Sequence, residues 1–292
     1  MIIVRIHGGL GNQMFQYAMG RHLSLRTGAP LWFETGGYNP SPLGRFDLDR
    51  FHTVGKTVSA PLAVLLRRIG RLGGAVGTRW VRVVALAQPL HRICVQKTIH
   101  FDPHALELRP PVYLIGYWQC ERYFKDIADV IRSDFAVKGE PSAENQRVLD
   151  RIAEEVSVCV HVRRTDYVTN PTTAGMYGVR GVPYYRAASK LIADRVSGLH
   201  YFVFSDDIPW ARENLTFLER ATFVDHNSPA DRHEDMRLMM QCKHFIIANS
   251  SFSWWPAWLS THPEKVVVAS QTWFSTTDAG TNDILPPSWL RV

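Results

Sequence analysis

Two adjacent arginines follow a short apolar stretch in the middle of the chain, in the sequence "HVRRTDY" that begins at His161. Alternate side chains of a strand share a face, so we expect His161 and Arg163 to point together and Arg164 to point away. A guanidinium stays charged at any relevant pH and can bind a phosphate or carboxylate through two parallel hydrogen bonds. The motif therefore predicts an anion site at Arg163. The alternative for either arginine is an internal ion pair with a carboxylate such as Asp166.

A pair of carboxylates follows another apolar run, in the sequence "FVFSDD" that ends with Asp206 and Asp207. Two neighbouring acids can hold a divalent metal ion. A carboxylate can also accept two N–H bonds from the edge of guanine, which adenine cannot donate. Capping of the next helix is the structural alternative. The sequence leaves these three roles open.

Small hydroxyl residues follow a third apolar run, in the sequence "IIANSSFSWWPAWL". Ser250, Ser251 and Ser253 all suit the N-cap of a helix, and a helix that starts at the carboxyl end of a strand can cradle a phosphate. Proline is tolerated only in the first turn of a helix, so Pro256 favours Ser253 over Ser250 as the cap. Two of the three tryptophans in this stretch are expected to lie in the core.

A glycine-rich turn lies near the start of the chain, in the sequence "IHGGLGNQMFQYA". Gly8, Gly9 and Gly11 would let the backbone approach a ligand closely, and the next helix would offer N–H groups to an anion. With Glu34 further along, the turn is similar to a dinucleotide-binding fingerprint, although Met14 replaces its third glycine. An NAD-dependent oxidoreductase is therefore one alternative function, and a tight turn without a ligand is another interpretation.

The elements that must position these residues alternate along the whole chain. Apolar runs separated by amphipathic helices are typical of parallel sheets that are covered on both faces, and ligands bind beyond the carboxyl ends of such strands. The sequence predicts an α/β protein of two lobes, 1–140 and 141–292. We predict strands at 2–6, 30–33, 112–115, 157–162, 200–204, 222–224, 244–247 and 265–269. We predict helices at 12–26, 62–72, 121–134, 143–155, 184–196, 209–218, 231–241 and 253–260.

Composition indicates a cytoplasmic globular protein. The 292 residues are 46% hydrophobic and 21% charged, and no apolar run approaches the roughly 18 residues that a membrane-spanning helix needs. The first residues lack the pattern of a signal peptide and are interpreted as a strand. The four cysteines do not show the spacing of a metal site, and we expect them to be reduced. They are Cys94, Cys120, Cys159 and Cys242.

The net charge of +6 comes from one segment, because residues 50–101 contain nine Lys or Arg and no Asp or Glu. Leucines at helical spacing, with Arg67, Arg68 and Arg71 on the opposite side, predict a helix near 62–72, and the pattern around Trp80 suggests a second one. These arginines either form the solvated faces of two core-packed helices or bind an anionic membrane surface through 62–97. No nucleic-acid partner is expected.

Six motifs, in order along the whole chain, resemble those of glycosyltransferase family 11, the α-1,2-fucosyltransferases. They are "GGLGNQMFQYA", "GYWQ", "HVRRTDY", "FSDD", "NSSFSWW" and "NDILPPSWL". The resemblance implies a GT-B type fold with two Rossmann-like lobes and mainly parallel sheets, in which 1–140 is the acceptor-side lobe and 141–292 is the GDP-fucose-binding lobe. It also implies GDP-β-L-fucose as donor, a β-galactoside-type oligosaccharide or glycolipid as acceptor, inversion at the anomeric carbon, and no cofactor or metal ion.

The resemblance also assigns roles to residues. Arg163 would neutralise the β-phosphate as GDP departs, Ser250, Ser251 and Phe252 would line the phosphate site, and an acid of "SDD" would bind guanine. The full set of donor-binding candidates is Gly9, Gly11, Asn12, Gln13, His161, Arg163, Arg164, Asp206, Asp207, Ser250, Ser251 and Phe252. For the general base, which must reach the acceptor hydroxyl, we take Asp166 as the first candidate because it lies near the phosphate arginines, and His7 as a weaker one. Trp118 of "GYWQ" is a weak candidate for acceptor binding.

Two other functions stay open at this point. An oxidoreductase that uses Gly9, Gly11 and Glu34 would leave the arginine pair unexplained. A non-catalytic sugar-nucleotide or glycan-binding protein would keep the same pockets without turnover. For the enzyme itself, the basic segment suggests work on lipid-linked glycans at the inner membrane, in surface polysaccharide or lipopolysaccharide assembly.

Overall fold

The structure is a computed structural model that describes residues 1–36, 45–75, 83–85, 88–90, 92–275 and 281–292. The chain divides into two compact units, Met1–Ala136 and Val137–Val292. The boundary lies four residues before the one predicted from the sequence.

A five-stranded sheet forms the centre of the first unit. In chain order the elements of this unit are β1 (Ile2–Arg5), α1 (Leu10–Thr27), β2 (Leu31–Glu34), β3 (Lys56–Thr57), α2 (Ala60–Ala75), β4 (Val83–Ala85), β5 (Gln88–Leu90), β6 (Arg92–Val95), β7 (Val112–Ile115) and α3 (Ala128–Asp134). Short 3₁₀ turns lie at Leu48–Arg50, Pro103–Glu107, Glu121–Tyr123 and Lys125–Ile127. The strands of the sheet are all parallel, in the order β3-β2-β1-β7-β6.

Strand β1 is the middle strand of this sheet, and its first three residues are fully buried. Helix α1 packs closely against β1 and β2 at Gly20, where an added Cβ would clash with the side chains of Val4 and Leu31. A glycine inside a helix lowers its stability, so this position is explained by the close approach of helix and sheet. The packing fixes the start of α1 at the carboxyl end of β1.

The second unit is built around a six-stranded sheet. In chain order its elements are α4 (Ala143–Glu154), β8 (Val156–Val162), α5 (Thr165–Thr169), α6 (Pro171–Tyr177), α7 (Val182–Ala193), β9 (Leu199–Ser205), α8 (Ile208–Asn214), β10 (Ala221–Val224), α9 (Arg232–Gln241), β11 (His244–Ile247), α10 (Ser251–Leu259), β12 (Val267–Ala269), α11 (Thr281–Ile284) and β13 (Leu290–Arg291). A 3₁₀ turn lies at Pro229–Asp231. The strands are again all parallel, in the order β10-β9-β8-β11-β12-β13.

Strands β8 and β11 are the middle strands of the second sheet. Six of the seven residues of β8 and all four of β11 are buried, as expected for strands that are covered on both faces. The eight strands predicted from the sequence are confirmed within two residues at each end. Both lobes therefore have the parallel α/β architecture that the alternating pattern predicts.

Two predictions about local structure were wrong. The predicted helix 121–134 is two 3₁₀ turns followed by the short α3. Of the residues assigned to a second basic helix, 83–85 form β4 instead, in an antiparallel pair with β5. Strand β6 and helices α5 and α6 were not predicted, because these elements are seven residues or shorter and their apolar residues show no clear period.

The basic segment is only partly described. Helix α2 is present, and Arg67 on it turns towards the buried Glu34, with 4.0 Å between Arg67 Nη1 and Glu34 Oε1. Arg68 is exposed. The side chain of Arg71 and residues 76–82, 86–87 and 91 lie outside the described residues. Within the described ranges, no helix is both long and apolar enough to cross a bilayer.

Candidate functional site

Two of the sequence motifs meet at the carboxyl edge of the second sheet. Strands β8 and β9 are parallel neighbours, with Val162 opposite Ser205 at their ends. "RRTDY" therefore leaves the sheet beside the acid pair of "SDD". The sequence could place each motif at the end of a strand, but only the strand order makes them neighbours.

Arg163 lies between two carboxylates at this edge. Its Nη2 is 2.6 Å from Asp166 Oδ1, and its Nη1 is 3.0 Å from Asp206 Oδ2. The guanidinium carbon is also 5.6 Å from the centre of the Tyr167 ring. The side chain keeps 20% of its surface exposed. Arg163 is thus a paired but accessible cation, whose partners an incoming anion could replace.

Arg164 is held by different groups. Its Nε is 3.2 Å from Asp207 Oδ2, and its guanidinium carbon lies 4.0 Å over the ring of Trp210. Strand β8 ends at Val162, so the alternation rule of a strand does not govern the two arginines. They nevertheless reach separate partners, and the alternative of an internal ion pair describes Arg164 well.

Asp206 and Asp207 both receive backbone N–H groups. Asp206 Oδ1 accepts from the N–H of Arg164 at 2.8 Å, and Oδ2 accepts from the N–H of Thr165 at 3.1 Å and from the Thr165 hydroxyl. Asp207 is the N-cap of α8 and accepts from the N–H of Trp210 at 3.2 Å. Capping of the next helix, which the sequence left as an alternative, therefore occurs at Asp207, whereas Asp206 binds N–H groups at the start of α5. Across the described part of the chain, no group of three or more His, Cys, Asp or Glu is placed to hold a metal ion.

The helix after β11 begins earlier than predicted. Ser250 is the N-cap of α10, and its Oγ accepts from the N–H of Phe252 at 3.3 Å. The choice of Ser253 was wrong because Pro256 lies inside the helix, where it leaves only one main-chain carbonyl without its usual donor. Ser253 instead donates its hydroxyl to the carbonyl of Ala248 at 3.2 Å. All three tryptophans of α10 are buried, one more than expected.

The serine motif joins the arginine motif because β11 is the other neighbour of β8. The Tyr167 hydroxyl donates to the carbonyl of Asn249 at 3.0 Å, and the rings of His161 and Phe252 lie 5.6 Å apart. Burial lowers the pKa of His161 to about 4, so its ring is neutral at pH 7. Its Nδ1 is buried without a hydrogen bond. His161, Arg163 and the start of α10 therefore lie along one edge.

Sequence reasoning missed Arg180, which lies between α6 and α7. Its Nη2 donates to the carbonyls of Tyr177 at 3.0 Å and Thr272 at 2.9 Å, and its buried Nε has no hydrogen-bond partner. Asn249 Nδ2 donates to the same Tyr177 carbonyl at 2.7 Å, which places this cation beside the serine motif. No periodic pattern surrounds Arg180, and its two partners are main-chain atoms, so the sequence carried no signal for it.

The glycine turn of the first unit lies at the carboxyl edge of its own sheet. Gly8 has φ +79°, a conformation that favours glycine, while Gly9 is the N-cap of α1 with φ −67°. A Cβ added at Gly9 would meet no atom within 4 Å, so this face of the turn is open. Asn12 Oδ1 accepts from Gln119 Nε2 at 2.7 Å, which ties the turn to the "GYWQ" motif.

Gln13 has a structural role in this turn. Its side chain is fully buried, and its Nε2 donates to the carbonyls of Gly8 at 2.9 Å and Arg45 at 2.7 Å. Its Oε1 accepts from the N–H of Asp47 at 2.9 Å. Both amide hydrogens are bonded within the protein, so Gln13 could contact the GDP-sugar only if these bonds changed.

His7 is a poor general base as the structure holds it. The N–H of His7 donates to Gln16 Oε1 at 2.9 Å, which fixes the orientation of the Gln16 amide. Gln16 Nε2 must then donate to His7 Nδ1, 3.0 Å away, so the neutral ring carries its proton on Nε2. Burial and the neighbouring Arg5 lower the pKa of His7 to about 4. The exposed side of the ring is a hydrogen-bond donor.

Two alternatives lose their structural support in the first unit. Trp118 is only 1% exposed, so its ring lies in the core and not at a sugar-binding surface. Glu34, the acid that an NAD site would need for ribose, is fully buried. It accepts from the Tyr113 hydroxyl at 3.1 Å and the N–H of Gly36 at 2.8 Å. The oxidoreductase interpretation therefore has no acid available.

Comparison with known proteins identifies the family. The sequence matches the model of glycosyl transferase family 11 over residues 99–292, about two thirds of the chain. The chain belongs to glycosyl transferase family 11. The matched range includes every residue described above at the edge of the second sheet.

Relatives of this family 11 chain transfer more than one sugar. It is 30% identical over 307 residues to an alpha-1,2-colitosyltransferase of Escherichia coli, a match that covers 100% of this chain and 99% of the relative. It is 28% identical to the O-antigen biosynthesis glycosyltransferase WbnK of Escherichia coli, covering 98% of this chain and 99% of the relative. It is 27% identical to human galactoside alpha-(1,2)-fucosyltransferase 1 over 53% of this chain and 45% of that protein.

A solved structure shows the fold of the family 11 chain. A mutant of Arabidopsis thaliana FUT1, solved in complex with GDP, matches with a TM-score of 0.52 at 12% identity, covering 95% of this chain and 72% of that one. The α/β fold of GT-B type, with two parallel-sheet lobes, is thereby confirmed. At this identity the likeness concerns the fold alone.

Proposed function

We propose that the protein is an inverting α-1,2-fucosyltransferase, which moves L-fucose from GDP-β-L-fucose to the 2-hydroxyl of a β-galactoside-type acceptor. The observation that carries the proposal is Arg163, an accessible guanidinium at the carboxyl edge of a parallel sheet. It lies beside a serine-capped helix start, within a family whose members transfer sugars. Such an edge is where nucleotide ligands bind in open α/β sheets.

Arg163 stabilises the leaving diphosphate in this proposal. GDP departs as positive charge develops on fucose, and the C–O bond to the acceptor forms on the opposite face of the sugar. In the absence of donor, Asp166 and Asp206 neutralise the guanidinium. A diphosphate carries more charge than either carboxylate and can bind a guanidinium through two parallel hydrogen bonds, so it can replace the two aspartates. The cation then faces the atoms where negative charge accumulates.

Asp166 remains our candidate for the general base. Its carboxylate lies 2.6 Å from Arg163 Nη2 and would be released when the guanidinium turns to the phosphate. An inverting transfer needs one group that takes the proton of the acceptor hydroxyl. The tautomer of His7 argues against that residue, because its only unprotonated nitrogen is bonded to Gln16. The pH–rate profile of Asp166→Asn should lose its acidic limb if this assignment is right.

GDP-colitose is the second candidate donor, because a relative that spans the whole chain is a colitosyltransferase. Colitose is L-fucose without its 3-hydroxyl. A site that bonds this hydroxyl would reject the deoxy sugar by a factor of about 10⁴, whereas a site that leaves it in solvent would accept both. Relative kcat/KM for the two donors therefore decides between them.

The experiment uses purified protein in EDTA with methyl β-D-galactopyranoside as acceptor. Each GDP-sugar is supplied in turn, and product linkage and anomeric configuration are read by NMR. We expect an α-1,2-linked fucoside without added metal. Binding of GDP-fucose with no transfer to a panel of β-galactosides would favour a non-catalytic binding protein. Activity only after a divalent metal is added would return the acid pair to consideration as metal ligands.

The natural acceptor in this proposal is a lipid-linked glycan at the cytoplasmic face of the inner membrane. Its support is the basic segment, where Lys56, Arg68 and Lys97 are exposed, and the relative named for O-antigen biosynthesis. Co-sedimentation with vesicles that contain phosphatidylglycerol should occur at low salt and weaken at high salt. Arg68→Gln with Lys97→Gln should reduce it, and Lys190→Gln, an exposed lysine of the other unit, should not. Absence of binding at low salt would refute membrane association.

A further inference from the structure

An exposed aromatic ring stands at the carboxyl edge of the first sheet. Tyr117 follows β7 by two residues and is 42% exposed, although tyrosine is usually more buried. Strand β7 pairs in parallel with β1, with Val4 opposite Leu114. The turn that carries Tyr117 therefore lies beside the glycine turn that follows β1.

The turn is rigid, and its backbone sends neighbouring side chains in different directions. Gln96 Oε1 accepts from the N–H groups of both Tyr117 at 2.8 Å and Trp118 at 2.9 Å. A Cβ on Gly116 would lie 2.5 Å from Gln96 Cβ, so only glycine fits there. Trp118 has φ +58° and is buried edge-on against Tyr123, with 5.5 Å between ring centres. Tyr117 is thus held outwards on a fixed backbone.

His7 supports the tyrosine ring. The two ring centres are 4.8 Å apart at an angle of 36°. Because Gln16 holds His7 Nδ1, the imidazole is neutral and presents an N–H at Nε2. The tyrosine ring is therefore fixed from the side as well as through its backbone, and a hydrogen-bond donor lies next to it.

The side chains of the two turns are polar but uncharged, while Arg5 at the end of β1 pairs with the buried Glu34 at 3.9 Å. Apart from His7 and Tyr117, the two turns, residues 7–12 and 116–119, contain no ionisable side chain. Their polar side chains are amides, of which Asn12 and Gln119 bond to each other. An amide both donates and accepts, as sugar hydroxyls require, and a fixed aromatic ring suits the C–H face of a pyranose. This combination fits a neutral sugar better than a diphosphate.

We propose that Tyr117, braced by His7, is the stacking platform for the acceptor galactoside. The inference rests on the proposed function and adds to it the place where the neutral substrate binds. In galactose the axial 4-hydroxyl leaves one face of the ring with a continuous patch of C–H groups, which lies flat on an aromatic ring. The hydroxyls on the rim would meet the amides and the Nε2–H of His7.

The test compares Tyr117→Ala, Tyr117→Phe and Tyr117→Trp with Leu25→Ala, which removes a similarly exposed apolar side chain at the far end of α1. With methyl β-D-galactopyranoside as acceptor, we expect Tyr117→Ala to raise the acceptor KM roughly tenfold or more. The KM for GDP-fucose and the slow hydrolysis of GDP-fucose by water should stay within about twofold of wild type. The aromatic variants and Leu25→Ala should keep a near-normal acceptor KM.

An unchanged acceptor KM in Tyr117→Ala would overturn the platform, and so would an equal rise in the KM for GDP-fucose. If wild type shows no transfer, the proposed function has failed, and the platform is then tested by binding alone. Saturation-transfer NMR of methyl β-D-galactopyranoside should show contact with wild type and Tyr117→Phe but not with Tyr117→Ala. Equal signals from wild type and Tyr117→Ala, or no signal from wild type, would refute it.

Discussion

The carboxyl edges of the two sheets share an architecture and differ in charge. Each edge has a parallel pair of middle strands followed by a turn that starts a helix, at Gly9 in the first unit and Ser250 in the second. The second edge carries arginines and aspartates in ion pairs. The two turns of the first edge, residues 7–12 and 116–119, carry amides, a neutral imidazole and a phenol. The same backbone arrangement therefore carries charged side chains in one unit and neutral polar side chains in the turns of the other.

This difference teaches how the same fold can serve an anion and a neutral sugar. Charges at the second edge neutralise one another, so Arg163 can exist half-buried before any ligand arrives. An anion must compete with Asp166 and Asp206, which disfavours weakly charged ligands. In the two turns of the first edge, residues 7–12 and 116–119, no ion pair has to be broken, and hydrogen bonds and stacking suffice for a sugar.

The strongest test of the charged edge is Arg163→Lys. A lysine keeps the charge but loses the bidentate geometry, so we expect kcat to fall about 10²- to 10³-fold, equivalent to roughly 3–4 kcal/mol. Arg164→Lys is the control, because Arg164 is occupied by Asp207 and Trp210 and should lose less than Arg163. Near-normal turnover in Arg163→Lys would contradict the bidentate role.

The next test concerns a partly buried acid of the second unit, Asp235 on α9. Burial raises the pKa of Asp235, and the negative charges of Glu234 and Asp231 raise it further. A hydrogen bond from Asn227 lowers it in part, and the resulting pKa is about 7. The folded state therefore holds a proton that the unfolded state releases above pH 4, and stability from this group falls as pH rises from about 4 to 7.

Asp235→Asn should remove this loss. We expect the variant to gain about 1–4 kcal/mol in the free energy of unfolding at pH 8 relative to wild type, and little at pH 4. Urea denaturation at both pH values measures the effect. Surface Asp194→Asn is the control and should show no such pH-dependent gain. A stability difference that does not vary with pH would contradict the raised pKa.

A smaller effect separates two adjacent glycines at the neutral edge. Gly8→Ala forces φ +79° on an alanine and should lower the free energy of unfolding by about 1–2 kcal/mol. Gly9→Ala should leave stability nearly unchanged, because its φ is −67° and its Cβ would meet nothing within 4 Å. If a ligand approaches the turn, Gly9→Ala should lower activity without lowering stability. Equal stability of both variants would show that the turn is not strained.

The smallest effect concerns the imidazole of the neutral edge. The ¹⁵N NMR shifts of His7 should show an Nε2–H tautomer that does not titrate between pH 5 and 8, because its pKa is lowered to about 4. Free histidine titrated under the same conditions serves as reference. A protonated Nδ1 in His7, or titration near pH 6.5, would restore it as a candidate base.

Strands and lobes were predictable because their signal is local. Strand β8 is a run of seven mostly apolar residues, and such runs need no knowledge of the rest of the chain. The residue types of the arginine motif were also enough to predict that it could bind an anion. Its partner Asp206 was not predictable, since only the pairing of β8 with β9 brings these distant parts of the sequence together.

The sequence carried no signal where the backbone or a distant group decides the position of a side chain. Trp118 and Tyr117 are equivalent candidates by residue type, and only φ +58° at Trp118 sends one ring inwards. Gln13 was chosen for its place in a motif, but main-chain atoms of Arg45 and Asp47 occupy its amide. Such contacts leave no periodic pattern to read.

The most direct measurement of the central claim is the calorimetric affinity for GDP and for GMP in EDTA, with wild type and Arg163→Gln. We expect wild type to prefer GDP by about 10- to 100-fold, the value of one charge-assisted contact to the second phosphate. The preference should fall to near one in Arg163→Gln, while GMP binds both proteins equally. Equal binding of GDP and GMP by wild type, or a preference that survives in the variant, would show that Arg163 is not the diphosphate ligand.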